Sequence, residues 1–288
     1  MGLQNFIPSV WTAKLFVRLR KSLVFANVVN KDYEPEISAF GDTVYINELG
    51  PVATASYTKG TVLTYATLDS AQKSLLIDQG TSFSFSIDDI DKAQTKPKLM
   101  TSAMSEAAYS VADGIDQVIA GLYAQAGVTG SATYIGSSGA SVSVSSGNAI
   151  ETISYIARYL TEKNVPTQGR FGIIPPWLHQ KLWLAETGSI ASTGVPKISD
   201  SGILMNGWVG NLAGFDLMVS NNVSTDGTQY RCMFGTPAAI SYAGQITEIE
   251  ALRLQTTFAD AMRGLYVYGV KVIRPNALCT AYLAEAAG

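Results

Sequence analysis

The stretch KLMTSAMSEAAYSVADGIDQVIAGLYAQA, residues 98–126, decides the fold. Its apolar residues recur every three or four positions, which places them on one face of an α-helix. They are Met104, Ala108, Val111, Ile115, Val118 and Leu122. At about 1.5 Å per residue such a helix is about 40 Å long, the width of a domain rather than of a connector. We therefore predict a spine helix along which the rest of the chain packs.

Two glycines bear on this helix. Gly114 lies in its middle, where glycine costs about 1 kcal/mol relative to alanine. It is either a tolerated defect, a close approach of another backbone, or a place where the helix bends. Gly127 is predicted to end the helix in the left-handed conformation.

The composition indicates a chain that is covered by partners. The 288 residues suffice for one large domain or two modest ones, and the net charge of −3 excludes a protein that grips polyanions through bulk charge. Only 15% of the residues are charged, below the quarter that is typical of soluble domains. No apolar run approaches the ~18 residues of a membrane span, so we predict no membrane partner and infer burial between subunits.

The N-terminal residues predict a short amphipathic helix that begins near Pro8. Trp11, Leu15 and Leu19 repeat at every fourth position, and basic residues occupy the other side. The first interpretation is a solvated basic face over a local core. The alternative is that the apolar stripe docks on another subunit, which makes these three residues candidate subunit contacts.

Basic residues interrupt the apolar ones near the N-terminus, so no signal peptide is predicted. Cys232 and Cys279 are the only cysteines, which is typical of a reducing cytoplasm. We expect both to be buried and inert.

Two segments with alternating apolar residues predict strands, Asp42–Glu48 and Thr81–Asp88, and we expect them to pair. The residues between them, from Asn47 to Gly80, are rich in Thr, Ser and Ala and cannot build a core. We predict a long two-stranded arm. Because an isolated ribbon is marginal in water, a neighbouring molecule should hold it.

The second half alternates helix and strand, which predicts an α/β layer. The predicted elements are a flexible Gly/Ser-rich hairpin before residue 148, a helix capped by Asn148, a buried strand Arg170–Ile174, a helix Trp177–Glu186, a strand Phe215–Val219, two long strands Ala243–Phe258 and Ala261–Ile273, and an apolar tail Ala277–Leu283.

The sequence contains few candidate catalytic or metal-binding residues. Asp88, Asp89 and Asp91 can hold Mg²⁺ or Ca²⁺, but acids are also favoured before a helix N-terminus, which is the preferred interpretation. His179 is the only histidine and has no ligand or triad partner at a suitable spacing. Phosphate-loop, dinucleotide and nucleophile-elbow motifs are missing from the sequence. We therefore predict no catalytic, cofactor-binding or metal-binding residues, and no cofactor.

Four passages carry a resemblance. They are FIPSVWTAKLFVRLRKSLVFANVVNKDYE (6–34), SAFGDTVYIN (38–47), GNLAGFDLMVSNNV (210–223) and MRGLYVYGVKVIRPNAL (262–278). Together with the order of arm, loop, spine helix, α/β segment and long strands, they resemble the major capsid proteins of tailed bacteriophages, which have the HK97-like fold. The resemblance implies an α+β chain with a spine helix, an extended β-hairpin loop, a peripheral domain and an α/β axial domain.

The resemblance also implies a division of the chain. It assigns an N-terminal arm to residues 1–36, an extended loop with its flanking strands to 37–92, the spine helix of the peripheral domain to 93–127, the axial domain to 128–240, and the closing strands with the C-terminal segment to 241–288.

The function that it implies is a subunit of an icosahedral shell that assembles with itself into hexamers and pentamers around double-stranded DNA, without sequence-specific binding. Scaffolding and portal proteins are expected partners, assembly is expected in the host cytoplasm, and the final location is the virion capsid. Within the loop, Tyr57, Lys59 and Tyr65 are candidate subunit contacts, and Lys59 is the candidate for a covalent crosslink to a neighbour. The candidate hinges are Gly60, Gly80 and Gly114.

Two other functions remain open from the sequence. An encapsulin-like nanocompartment shares the fold and packages an enzyme instead of a genome. A cytoplasmic α/β enzyme with an unfamiliar site would form a small oligomer and show saturable turnover.

Overall fold

A computed structural model describes residues 21, 23–33, 41–49, 56, 59–60, 70–88, 99–128, 133–189 and 208–286. The helices are α1 (Phe25–Val28), α2 (Leu99–Ala120), α3 (Ala149–Glu162) and α4 (Pro176–Ser189), with 3-10 helices at Gly121–Gln125, Pro237–Ala239 and Pro275–Ala277. Within these described ranges no helix is both long and apolar enough to cross a bilayer.

The strands form three sheets. They are β1 (Thr43–Leu49), β2 (Ser70–Leu76), β3 (Gln79–Asp88), β4 (Val142–Val144), β5 (Arg170–Ile174), β6 (Trp208–Leu212), β7 (Phe215–Val219), β8 (Ser224–Thr225), β9 (Tyr230–Gly235), β10 (Ile240–Arg253), β11 (Ala259–Val272) and β12 (Leu278–Glu285). β1 and β2 form a two-stranded ribbon, β10-β11-β3 a three-stranded sheet, and β4-β12-β9-β5-β7-β6 the path of a seven-stranded sheet in which β8 also pairs with β9. The fold is therefore α+β, as predicted.

The spine helix is confirmed as α2, but it ends six residues before the predicted limit. From Gly121 the chain tightens into a 3-10 helix, a common way for an α-helix to end. The left-handed end predicted at Gly127 is wrong. A Cβ at Gly127 would lie 2.7 Å from the carbonyl carbon of Pro275, and its N–H donates to the Pro275 oxygen at 2.8 Å. The glycine is needed for this close approach of two backbones.

The predicted pairing of Asp42–Glu48 with Thr81–Asp88 is wrong. β1 pairs with β2, with Thr43 opposite Leu76, whereas β3 pairs antiparallel with β11. Phe83 on β3 lies opposite Gly264 on β11, where a Cβ would be 2.5 Å from the Phe83 ring. Because Gly264 has no side chain, the Phe83 ring can lie against it. The pairing of β3 with β11 therefore depends on a residue about 180 positions away in the chain.

The two long closing strands are confirmed as β10 and β11, which pair along almost their whole length. The predicted apolar tail is instead β12, which lies inside the seven-stranded sheet between β4 and β9. The segment predicted as a flexible hairpin is also packed. Ile135 is buried and its carbonyl accepts a 2.7 Å hydrogen bond from the N–H of Tyr282.

Arg170 begins β5 and is buried although it is charged. Its guanidinium donates to the carbonyls of Pro166 (2.7 Å), Val165 (2.6 Å) and Ala157 (3.1 Å) and to the hydroxyl of Thr161 (3.2 Å). These acceptors lie at and just after the C-terminal end of α3, where a positive charge is favoured by the helix dipole. Burial lowers the pKa of Arg170 from its ordinary value. The arginine joins α3 to the central sheet.

Candidate functional site

The base of the β1–β2 ribbon packs against other strands of the same subunit. Val44, Leu75 and Ile77 form a small buried cluster with Ala243 of β10 and Val267 of β11. The expectation that a neighbouring molecule holds the whole arm is therefore wrong for the base. β1 and β2 each bury an apolar face against the long strands β10 and β11. The period-two pattern predicts such a face but does not show on which strands it packs.

Polar contacts fix the same base. The Lys73 ammonium donates to the carbonyl of Ile273 at 2.6 Å, and the Lys271 ammonium donates to that of Ser74 at 2.7 Å. A Cβ added to Gly269 would collide with the carbonyl of Leu76, so the ribbon approaches β11 more closely than a side chain permits. The orientation of the ribbon is set by these contacts.

The opposite face of the ribbon, which is otherwise largely polar, exposes two large apolar side chains. Tyr45 is 62% exposed and Leu76 is 47% exposed. Their register makes them diagonal neighbours across the two strands, with Tyr45 opposite Ser74 and Leu76 opposite Thr43. The alternation of β1 places Tyr45 on the face opposite to Val44 and Ile46, but no sequence pattern marks Tyr45 or Leu76 as a contact.

Of the predicted loop contacts, Lys59 alone is among the described residues, in the sequence between β1 and β2. Lys59 and Gly60 occupy an exposed turn, and Gly60 has a φ of +91°, a conformation that favours glycine. The other candidate contacts lie outside the described residues: Tyr57 and Tyr65 of the loop, and Trp11, Leu15 and Leu19 of the N-terminal segment.

The other two candidate hinges have different surroundings. Gly80 is the second residue of β3 and pairs in register with Val267. At Gly114 an added Cβ would meet no atom of the described residues within 4 Å, so the described part of the chain provides no close backbone contact there.

A buried polar junction lies where the N-terminal segment meets α2. The Asp116 carboxylate is fully buried and accepts hydrogen bonds from the backbone N–H groups of Val24 (3.1 Å) and Ala26 (3.2 Å) at the start of α1. The side-chain amide of Asn222, in the loop after β7, donates to Asp116 at 3.0 Å and to Asp113 at 2.8 Å. Burial is the main cause that raises the pKa of Asp116 above its ordinary value.

Lys21 extends this junction along α2. Its ammonium donates to the Asn222 side-chain oxygen at 3.1 Å and lies 3.7 Å from the Asp113 carboxylate. Its backbone N–H donates to the Tyr109 hydroxyl at 2.7 Å. The junction therefore links the N-terminal segment, the spine helix and the loop that follows β7 of the seven-stranded sheet. Hydrophobic periodicity did not indicate it, since the decisive residues are polar.

The residues weighed for chemistry are dispersed. Within the described ranges, no group of three or more His, Cys, Asp or Glu side chains is placed to hold a metal ion. Asp88 ends β3, while Asp89 and Asp91 lie outside those ranges. Cys232 and Cys279 are buried free thiols, as predicted; burial raises the pKa of Cys279 to about 12 and that of Cys232 further. His179 lies half-buried in α4, and its Nε2 is buried without a hydrogen-bond partner among the described residues, so the expectation of a helix-surface residue is not met.

Further large apolar side chains are exposed on the subunit. Phe258, in the turn between β10 and β11, is 81% exposed, and Trp183 on α4 is 53% exposed. Together with Tyr45 and Leu76 they place uncovered apolar surface on three separate parts of the chain. Single exposed apolar side chains are ordinary on protein surfaces, so these positions do not by themselves mark an interface.

Comparison with known proteins agrees with this arrangement. The profile of a family described as phage capsid protein matches residues 71–281. A structure from Mycobacterium phage Che8 is similar at 30% identity, with a TM-score of 0.75 over 97% of this chain and 98% of that one. The capsid structure of cyanophage P-SCSP1u has 17% identity and a TM-score of 0.71 over 99% and 95% of the two chains.

The capsid of Ralstonia phage GP4 shares the fold at 12% identity, with a TM-score of 0.66 over 100% of this chain and 98% of that one. A search of curated proteins finds no match. The family profile covers most of the chain. The protein therefore belongs to the phage capsid protein family and is a structural subunit of a phage capsid.

Proposed function

We propose that this subunit assembles with itself, as hexamers and pentamers, into an HK97-like icosahedral shell that encloses double-stranded DNA. The proposal rests mainly on the structure of the β1–β2 ribbon. Its base is anchored on β10 and β11, its outer face exposes Tyr45 and Leu76, and twenty residues separate β1 from β2. An anchored ribbon that exposes two large apolar side chains on its outer face is suited to lie on a second subunit.

In this proposal Tyr57, Lys59 and Tyr65 are contacts of the extended loop with the adjacent subunit. The division into an arm (1–36), loop (37–92), spine (93–127), axial domain (128–240) and closing segment (241–288) follows the HK97-like pattern. β12 nevertheless shares its sheet with the axial strands, so that the closing segment serves both domains.

The expected partners follow from the same role. Many weak contacts between identical subunits make a shell stable through multivalency. Scaffolding and portal proteins would direct assembly in the host cytoplasm, and DNA would be held without sequence-specific contacts, as suits a net charge of −3. The subunit would act without catalytic, cofactor or metal sites.

The family match favours a phage coat over the encapsulin-like compartment and the cytoplasmic enzyme. Electron microscopy and sedimentation of the purified recombinant chain test the proposal. We expect closed shells. A compact monomer that persists at high concentration would contradict it.

A second variant tests the role of the loop. Leu49 and Ser70 are opposite each other, so residues 50–69 can be replaced by an Asn-Gly turn that keeps the β1–β2 register. We expect this variant to retain the secondary structure of the parent, by circular dichroism, and to lose closed shells. Shells of normal yield would show that the loop makes no essential subunit contact. Lys59→Ala serves as a matched variant that keeps the loop and removes only the lysine.

A further inference from the structure

In the described part of the chain, β3 is an edge strand. It ends the order β10-β11-β3, and its register with β11 runs without a shift from Gln79 to Asp88. Alternate backbone N–H and C=O groups of a strand point to its two sides, so the outer edge of β3 presents a row of groups that β11 does not use. A strand edge of this kind is a template on which a further strand can pair.

This edge lacks the features that usually prevent strand addition. Residues 79–86, QGTSFSFS, contain no charged residue and no proline, and no register shift interrupts their pairing with β11. The other edge of the same sheet differs. β10 carries Glu248 and Glu250, and its register with β11 shifts between Ile246 and Glu248. Because charges and irregular register hinder pairing, the sheet is protected at β10 and unprotected at β3.

The two faces of β3 have different surroundings. Ser82, Ser84 and Ser86 are exposed on one face, whereas Phe83 and Phe85 are half-buried on the other. An apolar groove of about 270 Å³ on the phenylalanine side is lined by α2 and by residues of all three strands. The spine helix therefore lies over a face of the sheet and not beside the edge of β3.

The sequence of β3 is complementary to itself. Two copies related by a two-fold axis normal to the sheet pair antiparallel, and residues directly opposite each other share a face. With Ser84 opposite Ser84, residues 80–88 of the two strands overlap, Ser82 lies opposite Ser86, and Phe83 lies opposite Phe85. Aromatic pairs directly across two strands are favourable, and this register forms two of them.

We propose that β3 pairs antiparallel with β3 of a second copy of this chain, on a two-fold axis at Ser84. The two three-stranded sheets then form one continuous sheet with both α2 helices over the same face. A two-fold contact uses the same patch on both partners, and an uncharged, self-complementary edge provides such a patch. The inference rests on the proposed self-assembly, because it requires a second copy, and it names a surface through which two copies meet.

Disulfide trapping in the full-length, assembled protein tests the contact. In this register the two Ser84 Cα atoms are about 4.5–5.5 Å apart, within the range of a disulfide, whereas the two Ser82 Cα atoms are about 14 Å apart. On mild oxidation Ser84→Cys should therefore give covalent dimers, and Ser82→Cys alone should not. A mixture of Ser82→Cys with Ser86→Cys should give dimers again. Cys232 and Cys279 are buried and do not compete.

Charge at the same positions gives a second test that does not depend on disulfide geometry. Ser84→Lys places two lysines directly opposite each other and should lower the yield of shells several-fold. Ser82→Lys is the matched control, because its lysine lies opposite Ser86 and the yield should stay near that of the parent. Ser84→Glu should also lower the yield, and a mixture of Ser84→Lys with Ser84→Glu should restore it. Circular dichroism of the unassembled chains checks that each variant folds.

Closed shells in which Ser84→Cys stays at the monomer mass would overturn the proposal and assign the edge to another strand, while the proposed function would stand. Equal dimer yields from Ser84→Cys and Ser82→Cys, or a mixture of the two charged variants that does not regain shells, would equally overturn it. Trapped dimers of Ser84→Cys without closed shells would support this contact and count against the proposed shell.

Discussion

The side-chain amide of Asn222 donates a 3.0 Å hydrogen bond to the buried carboxylate of Asp116. This contact joins the loop after β7 to the spine helix across 106 positions of sequence. The other Asp116 oxygen accepts the backbone N–H groups of Val24 and Ala26, so one carboxylate holds three distant stretches together. The energetic consequence is large because a buried polar group that loses its partner is costly.

Replacing Asn222 should therefore destabilise the subunit. In Asn222→Ala, Asp116 keeps its two backbone donors but loses the amide, and we expect the free energy of unfolding to fall by about 1–3 kcal/mol. Urea unfolding of the unassembled chain measures this. Asn221→Ala is the matched control, because Asn221 is exposed and its replacement should change the free energy by less than about 0.5 kcal/mol. If both variants changed the free energy of unfolding equally, the side-chain contacts of Asn222 would not stabilise the subunit.

The raised pKa of Asp116 predicts the sign of a pH effect. The folded protein holds this proton more tightly than the unfolded chain, whose carboxyl titrates near the ordinary value of 3.8. The contribution of the group to stability is thus complete below pH 3.8 and is lost as the pH rises through the folded pKa. The Asp116→Asn variant should lack this loss. The test is to measure the urea unfolding midpoints of the parent and of Asp116→Asn from below pH 3.8 upwards. Parallel pH profiles of the two proteins would contradict the prediction.

Arg170 should be the most sensitive arginine of the described chain. In Arg170→Met, the carbonyls of Ala157, Val165 and Pro166 lose a buried donor, and we expect a loss of about 3 kcal/mol in the free energy of unfolding. Arg158→Met on α3 is the control. Arg158 is exposed and forms an ion pair with Glu162, four residues on, so its replacement should leave the unfolding curve close to that of the parent. Similar unfolding curves for both variants would disprove the helix-end role of Arg170.

Local sequence patterns were sufficient where an element's own residues determine it. The stripe from Met104 to Leu122 predicted the spine helix, and alternation predicted β10 and β11. The predicted partner of β3 was wrong. The observed pairing depends on Gly264, whose lack of a side chain leaves room for the Phe83 ring, and a local sequence pattern does not show this contact. β12 was missed because a continuous apolar run near a chain end does not reveal that it enters the middle of a sheet.

The candidate site was less accessible to sequence analysis. The junction rests on Asp116 and Asn222, two polar residues that hydrophobic periodicity ignores and that are 106 positions apart. A two-stranded arm was predicted between residues 47 and 80, but the pairing of β1 with β2 and the attachment of the ribbon's base were not. That attachment needs the glycine at position 269 and the lysine at position 271, whose contacts exist only once β1 and β2 lie on β11.

Two glycines should respond to alanine in opposite ways. In Gly269→Ala the new Cβ would collide with the backbone of Leu76, which cannot give way as a flexible side chain does, and we expect a loss of about 1–3 kcal/mol. In Gly114→Ala the Cβ meets open space, and the spine helix should gain about 1 kcal/mol. Thermal unfolding measures both changes.

The neighbouring residues Leu75 and Leu76 separate folding from assembly. Leu75 is fully buried under the ribbon, so Leu75→Ala should lower the free energy of unfolding by about 2–5 kcal/mol. Leu76 is 47% exposed on the outer face, so Leu76→Ser should leave the subunit's stability within about 0.5 kcal/mol of the parent and reduce the yield of shells. Unfolding curves and electron microscopy of both variants are the measurements. A Leu76→Ser protein that forms shells at the parental yield would mean that this face of the ribbon stays exposed to water in the capsid, and the contact would then have to lie elsewhere on the loop.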